Sequence, residues 1–147
     1  MKGVLVALDV GTVRVGVAAS DPDQVLASPV ATVPAADLAA AAAIVRDREA
    51  VRVLIGLPRT LAGREGPSVA MATSYAARFA PLVAPVPVEL VDERLTTVVA
   101  ERALADAGIR AKGRRAVVDQ AAAVALLQGV LDGAGGPPRR VPGGGGR

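Results

Sequence analysis

Asp9 ends the apolar, β-branched run VLVALD at residues 4–9, and an ionisable group at the end of a strand with buried composition needs a partner. It has two outlets: a bond to the backbone of the Gly11-Thr12 turn that follows, or a place in a metal or phosphate site. Further acids end or open other segments. Asp92-Glu93-Arg94 closes the run PVELV, and Asp119 precedes an alanine-rich stretch, where an acid serves equally as a helix cap. Arg110, Lys112, Arg114 and Arg115 place four cations within six residues with no acid among them, a pattern that suits a solvated loop or a phosphate-binding patch. The chain has no histidine, so acid-base or metal chemistry falls to Asp, Glu, Lys, Tyr or water.

These groups depend on the elements that carry them. Residues 4–9, 14–19 and 25–33 have strand composition and predict a three-stranded antiparallel meander, its third strand at an edge because of Pro29 and Pro34. Residues 36–48 read as a helix, and the run VRVLIGLP at 51–58 reads as a strand covered on both faces. A loop over 59–66, a helix opened by Pro67 and running to about 83, and a strand over 86–91 follow. Thr96 or Thr97 caps a helix to about residue 107, Gly113 breaks the basic loop, and 117–131 forms a last amphipathic helix. The pattern predicts an α/β domain over residues 1–132, a mixed sheet in three layers. The Gly/Pro/Arg tail over 133–147 is expected to be disordered.

In open α/β sheets the site lies outside the carboxyl ends of the strands. Asp9, a turn at 56–58 and the 92–94 triplet all fall at such ends. Asp92 and Glu93 point to opposite faces if the strand continues, so only one of them can share a site with Asp9.

Composition narrows the class further. With one Tyr, one Phe and no Trp among 147 residues, the core must be Val, Leu, Ile and Ala. Tyr75 and Phe79, at helical spacing, belong in it, which argues against recognition by base stacking. There is no cysteine, nothing resembling a signal peptide and no run long enough to span a membrane, so a cytoplasmic protein with no membrane partner is expected. Of 17 basic residues, Arg139, Arg140 and Arg147 lie in the tail, and the remaining 14 balance the 14 acids. The global basicity is therefore a tail property.

Taken together, LDVGTVRVGVAASD, IGLPRTLAGREGP, VDERLTT and AKGRRAVVDQAAAVALLQGVLD resemble, in order, the motifs of the YqgF/RuvX family of RNase H-like nucleases, over residues 4 to about 132. Arg59 and Val99 depart from residues frequent in the family. The resemblance implies an RNase H-like mixed five-stranded sheet, three antiparallel strands followed by parallel ones, with helices on both faces. It implies an acidic triad of Asp9, Glu93 and Asp119 holding two Mg²⁺ or Mn²⁺ ions, and no organic cofactor. Hard divalent ions take carboxylate oxygens, and such a pair hydrolyses phosphodiesters without histidine. Arg94, Thr96, Thr97, Arg110, Lys112, Arg114 and Arg115 are the expected nucleic-acid contacts. The implied task is maturation of the 5′ end of pre-16S ribosomal RNA, with structured RNA or ribosomal precursor particles as partners. The alternative is resolution of branched DNA such as Holliday junctions, and either a monomer or a weak homodimer is expected. An actin-like nucleotide-binding domain, which shares the Asp-x-Gly-Thr turn, or a non-catalytic nucleic-acid-binding module are the readings from other classes.

Overall fold

The computed structural model of the chain describes residues 2–57, 67–92, 111–133 and 139–142. Three strands open it, β1 (Leu5–Val10), β2 (Arg14–Ser20) and β3 (Ala27–Pro34), paired antiparallel in sequence order. Helix α1 (Leu38–Asp47) follows; the carboxylate of Asp37 accepts from the Ala40 amide at 3.1 Å and so occupies one donor of the first turn. β4 (Arg52–Leu57) returns parallel to β1, α2 (Pro67–Val83) crosses over, and β5 (Val88–Asp92) lies parallel to β4. The last described elements are α3 (Ala111–Leu131) and a two-residue strand, β6 (Arg139–Arg140). The sheet order is β3-β2-β1-β4-β5-β6, which puts the proline-bearing β3 at an edge.

Strand alternation divides the core. Val6, Leu8, Val15, Val17, Val53, Ile55, Val88 and Leu90 face α1 and α2, where Ala41, Val45, Ala72, Tyr75 and Phe79 meet them. Leu5, Ala7, Leu54 and Val91 face the other way, under Ala123, Leu126 and Leu127 of α3. Both faces of the central strands are covered, hence their nearly continuous apolar runs and the three layers.

Tyr75 and Phe79 stack with ring centroids 5.7 Å apart inside the larger core. The Tyr75 hydroxyl is buried with no hydrogen-bond partner among the described residues, and burial pushes its pKa up to about 12 from 10.0. Only the phenolate is penalised, so between those values the native state keeps a proton that the unfolded chain releases. Stability is fully present below pH 10 and should fall by about 2–3 kcal/mol as the pH rises through that window. Tyr75→Phe should abolish this alkaline step in urea titrations and at neutral pH match the parent or exceed it by up to about 1 kcal/mol.

The turn between β1 and β2 is closed by the Gly11 amide donating to the Arg14 carbonyl at 2.8 Å. A Cβ at Gly11 would stand 2.9 Å from that same oxygen. Gly11→Ala should therefore cost about 1–3 kcal/mol, read as a lower urea midpoint with unchanged slope.

Four expectations change. The basic segment from residue 111 onward is helix: α3 begins at Ala111 and contains Gly113, because packing on the sheet outweighs the roughly 1 kcal/mol cost of one glycine. Asp119 consequently lies eight positions after Ala111 and is no N-cap. Gly56 is a buried residue within β4, paired with Val91, and forms no turn. Within the segment expected to be disordered, Arg139–Arg140 pair antiparallel with Leu90 and Glu89, and Val141 is buried against the larger core. The open edge of β5 supplies backbone partners and Val141 an apolar anchor, which a reading from glycine and proline content does not register. The loop over 59–66 and the helix to about 107 lie outside the described residues.

Candidate active site

Asp9 belongs to the face of β1 that carries Leu5 and Ala7, so the half-buried carboxylate stands at the carboxyl end of the strand on the side covered by α3. Its cross-strand partner is Gly16, and Gly16 in turn pairs with Thr32 on β3. On the other flank Leu8 pairs with Ile55, and continuing that register sets Gly56 beside Asp9, with Val91 next in line. The row therefore reads Thr32, Gly16, Asp9, Gly56, Val91 across five strands. With strands about 4.8 Å apart, the two positions flanking Asp9 bear no side chain, and the floor there is bare backbone. Any other residue at Gly16 or Gly56 would put a Cβ into that space. A carboxylate at the carboxyl end of a strand, flanked by two positions without side chains, has a donor chemistry that suits an oxygen-seeking hard cation.

Helix α3 is hung over this row by two glutamines. Gln120 Nε2 donates to Thr32 Oγ1 at 3.0 Å. Gln128 takes the other end, accepting from the Ala27 amide at 2.9 Å and donating to the Val25 carbonyl at 3.0 Å. Eight helical residues span about 12 Å, and the corresponding rows of β2, at Gly16 and at Ser20, are about 13 Å apart. The helix thus runs antiparallel to β1, with its amino-terminal end towards the carboxyl ends of β1 and β4. Position 119 precedes Ala123 by four residues and Leu126 by seven, so it belongs to the sheet-facing stripe at the level of the Asp9 row. Lys112, Arg114 and Arg115 fall in the first five residues of α3, at the end that overhangs the site.

Asp92 separates from this group. It shares the face of Val88 and Leu90 and pairs with Leu57, so alternation sends it towards α1 and α2, opposite to Asp9. Glu93, Arg94, Thr96, Thr97 and Arg110 lie outside the described residues. Backbone groups of Gly11 and Arg14 close the turn after β1.

Thr32, Gly16 and Gln120 were not singled out by sequence. Gln120 carries a signal in being adjacent to Asp119, whereas the face of Thr32 depends on the register of an edge strand. An open pocket of about 360 Å³ lined by Thr73, Ala77, Leu90, Arg140, Val141 and Pro142 lies at the edge of β5, on the side of the sheet away from Asp9. No helix among the described residues is long and apolar enough to cross a membrane.

The comparisons with known proteins give the fold and the family. The fold resembles that of Thermus thermophilus RuvC in complex with a Holliday junction substrate, with a TM-score of 0.54 at 15% identity over 94% of this chain and 99% of that one. Another Thermus thermophilus RuvC structure also scores 0.54, at 16% identity over 93% of this chain and 99% of that one. In sequence, the chain is 52% identical over 139 residues to a Rhodococcus opacus protein named as a candidate pre-16S rRNA nuclease, covering 89% of this chain and 78% of the relative. A Mycobacterium ulcerans protein with the same name is 55% identical over 135 residues, covering 89% and 79%. The family model described as RuvX, Holliday junction resolvase, matches residues 3–133, nearly all of the described fold, and the chain belongs to the RuvX family.

Proposed function

We propose that this chain is a divalent-metal-dependent nuclease that hydrolyses phosphodiester bonds and processes the 5′ end of pre-16S ribosomal RNA. The observation that carries the reading is Asp9 at the carboxyl end of β1, flanked by Gly16 and Gly56, with position 119 of α3 at the same level. Asp9, Glu93 and Asp119 are the residues we assign to hold the metal, which fits a donor set of carboxylates in a chain without histidine. Bound there, a pair of Mg²⁺ or Mn²⁺ ions supplies a hydroxide nucleophile and stabilises the leaving oxygen.

The chain's own contribution is positional. Asp9 projects from a strand buried on both faces, which fixes it without recourse to loop conformation. Gly16 and Gly56, both buried, leave no side chain on either flank of Asp9. Lys112, Arg114 and Arg115 lie about 7–12 Å along the helix from Gln120, a reach suited to phosphates flanking the cut, and the helix terminus adds its own preference for anions. Phosphate tracking without stacking suits a structured RNA recognised by shape. The names of the sequence relatives favour pre-16S RNA, and the family description favours a Holliday junction.

The test is cleavage by metal-free protein, with and without added Mn²⁺, of an RNA carrying the pre-16S 5′ end and of a four-way DNA junction. Mn²⁺-dependent cleavage of the RNA at a defined position supports the proposal. Cleavage of the junction alone transfers the activity to branched DNA, and cleavage of neither removes the nuclease reading.

A further inference from the structure

We infer that Gln120, held by Thr32, is a positioning residue that latches the turn of α3 bearing Asp119 in register with Asp9. This rests on the metal-dependent nuclease reading above. The helix needs such a device because of what it packs with. Its sheet-facing stripe of Ala123, Leu126 and Leu127 makes non-directional apolar contact that specifies burial and leaves azimuth and height loosely set. A slip of one residue moves a helix by 1.5 Å and turns it by 100°, enough to carry position 119 off the face it shares with Asp9.

Among the described residues, two polar anchors resist that slip, and they differ in kind. Gln128 bonds backbone groups of Val25 and Ala27 at the far end of the sheet and serves to fasten the fold. Gln120 bonds one side chain, the hydroxyl of Thr32, which stands in the Asp9 row with only Gly16 between. The bond spans 88 residues of sequence and ties the turn of α3 that bears position 119 to the strand two removed from Asp9 in the sheet. Outer groups that hold ligands in place are ordinarily worth about 10- to 100-fold in metal affinity or activity.

Electron paramagnetic resonance titration of metal-free protein with Mn²⁺, alongside thermal unfolding, tests the inference on the parent and on Gln120→Leu, Thr32→Val, Thr32→Ser, Gln128→Leu and the Gln120→Leu/Thr32→Val double variant. Gln120→Leu and Thr32→Val should each weaken Mn²⁺ binding about 10-fold, and the double variant no further, since both remove one contact. Thr32→Ser, which keeps the hydroxyl, should retain parental affinity. Gln128→Leu should lower the thermal midpoint while leaving Mn²⁺ affinity at the parental value. Undiminished Mn²⁺ binding by folded Gln120→Leu overturns the inference and leaves the nuclease reading standing, as does additivity of the two single variants. A parent that binds no Mn²⁺ overturns both.

Discussion

Asp9→Asn is expected to lower cleavage by at least about a thousandfold, some 4 kcal/mol of transition-state stabilisation, while leaving the fold intact. The amide keeps the shape and half-burial of the carboxylate but loses the charge that draws a cation to the row between Gly16 and Gly56. The thermal midpoint of the metal-free variant, read beside that of the metal-free parent, tells a change of fold from a loss of metal. The two effects are separable. Addition of Mn²⁺ should raise the thermal midpoint of the parent, by the linkage of a ligand that binds only the folded state, and should leave that of the variant where it was. If Asp9→Asn cuts as fast as the parent, the metal site lies elsewhere and the row around Asp9 is structural.

Leu126→Ala should be the most damaging of the single truncations on the side of the sheet that bears the site. Leu126 is fully buried in the smaller of the two cores, with Leu5, Ala7, Leu54, Val91, Ala123 and Leu127. Removing its branched end costs the transfer of the lost atoms and leaves a cavity, about 2–5 kcal/mol against a total stability of about 5–15. Urea denaturation should show the midpoint falling with an unchanged slope. The same variant should weaken Mn²⁺ binding, because α3 carries Asp119, one of the ligands of the proposed site. A loss below about 1 kcal/mol would mean that the helix settles into the gap and that its contact with the sheet is looser than its burial indicates.

Much of this architecture was legible from residue types, and the exceptions have physical causes. The strands of the sheet are short apolar runs bounded by Gly, Pro or charge, and Tyr75 and Phe79 were assigned to the core because two aromatics at i and i+4 share one helix face. Asp9 stood out because an acid at the end of a buried run is costly. The beginning of α3 did not, because a glycine among cations looks like a loop until the weight of a long packed helix is set against it. Gly56 was misassigned for the opposite reason: strand glycines read as turns, and only the register shows that this one borders Asp9. Arg139–Arg140 escaped notice because strand β6 is specified by the vacant edge of β5 more than by its own two residues. That Asp92 lies on the face of Val88 and Leu90, away from Asp9, needed the register of the sheet, since parity counts only once the facing strand is known.

The bonds from Gln120 and Gln128 back to β3 and the segment before it have one more consequence, for the order of events during synthesis. The hairpin bearing Asp9 closes over a few residues and can form early, whereas those two glutamines reach groups 88 and 103 residues earlier in the chain. A partly made chain can therefore display Asp9 on a finished hairpin for most of the time it takes to emerge, without the helix that completes the centre. The side of the sheet that bears Asp9 thus gains its covering helix only after nearly all of the described chain has been made.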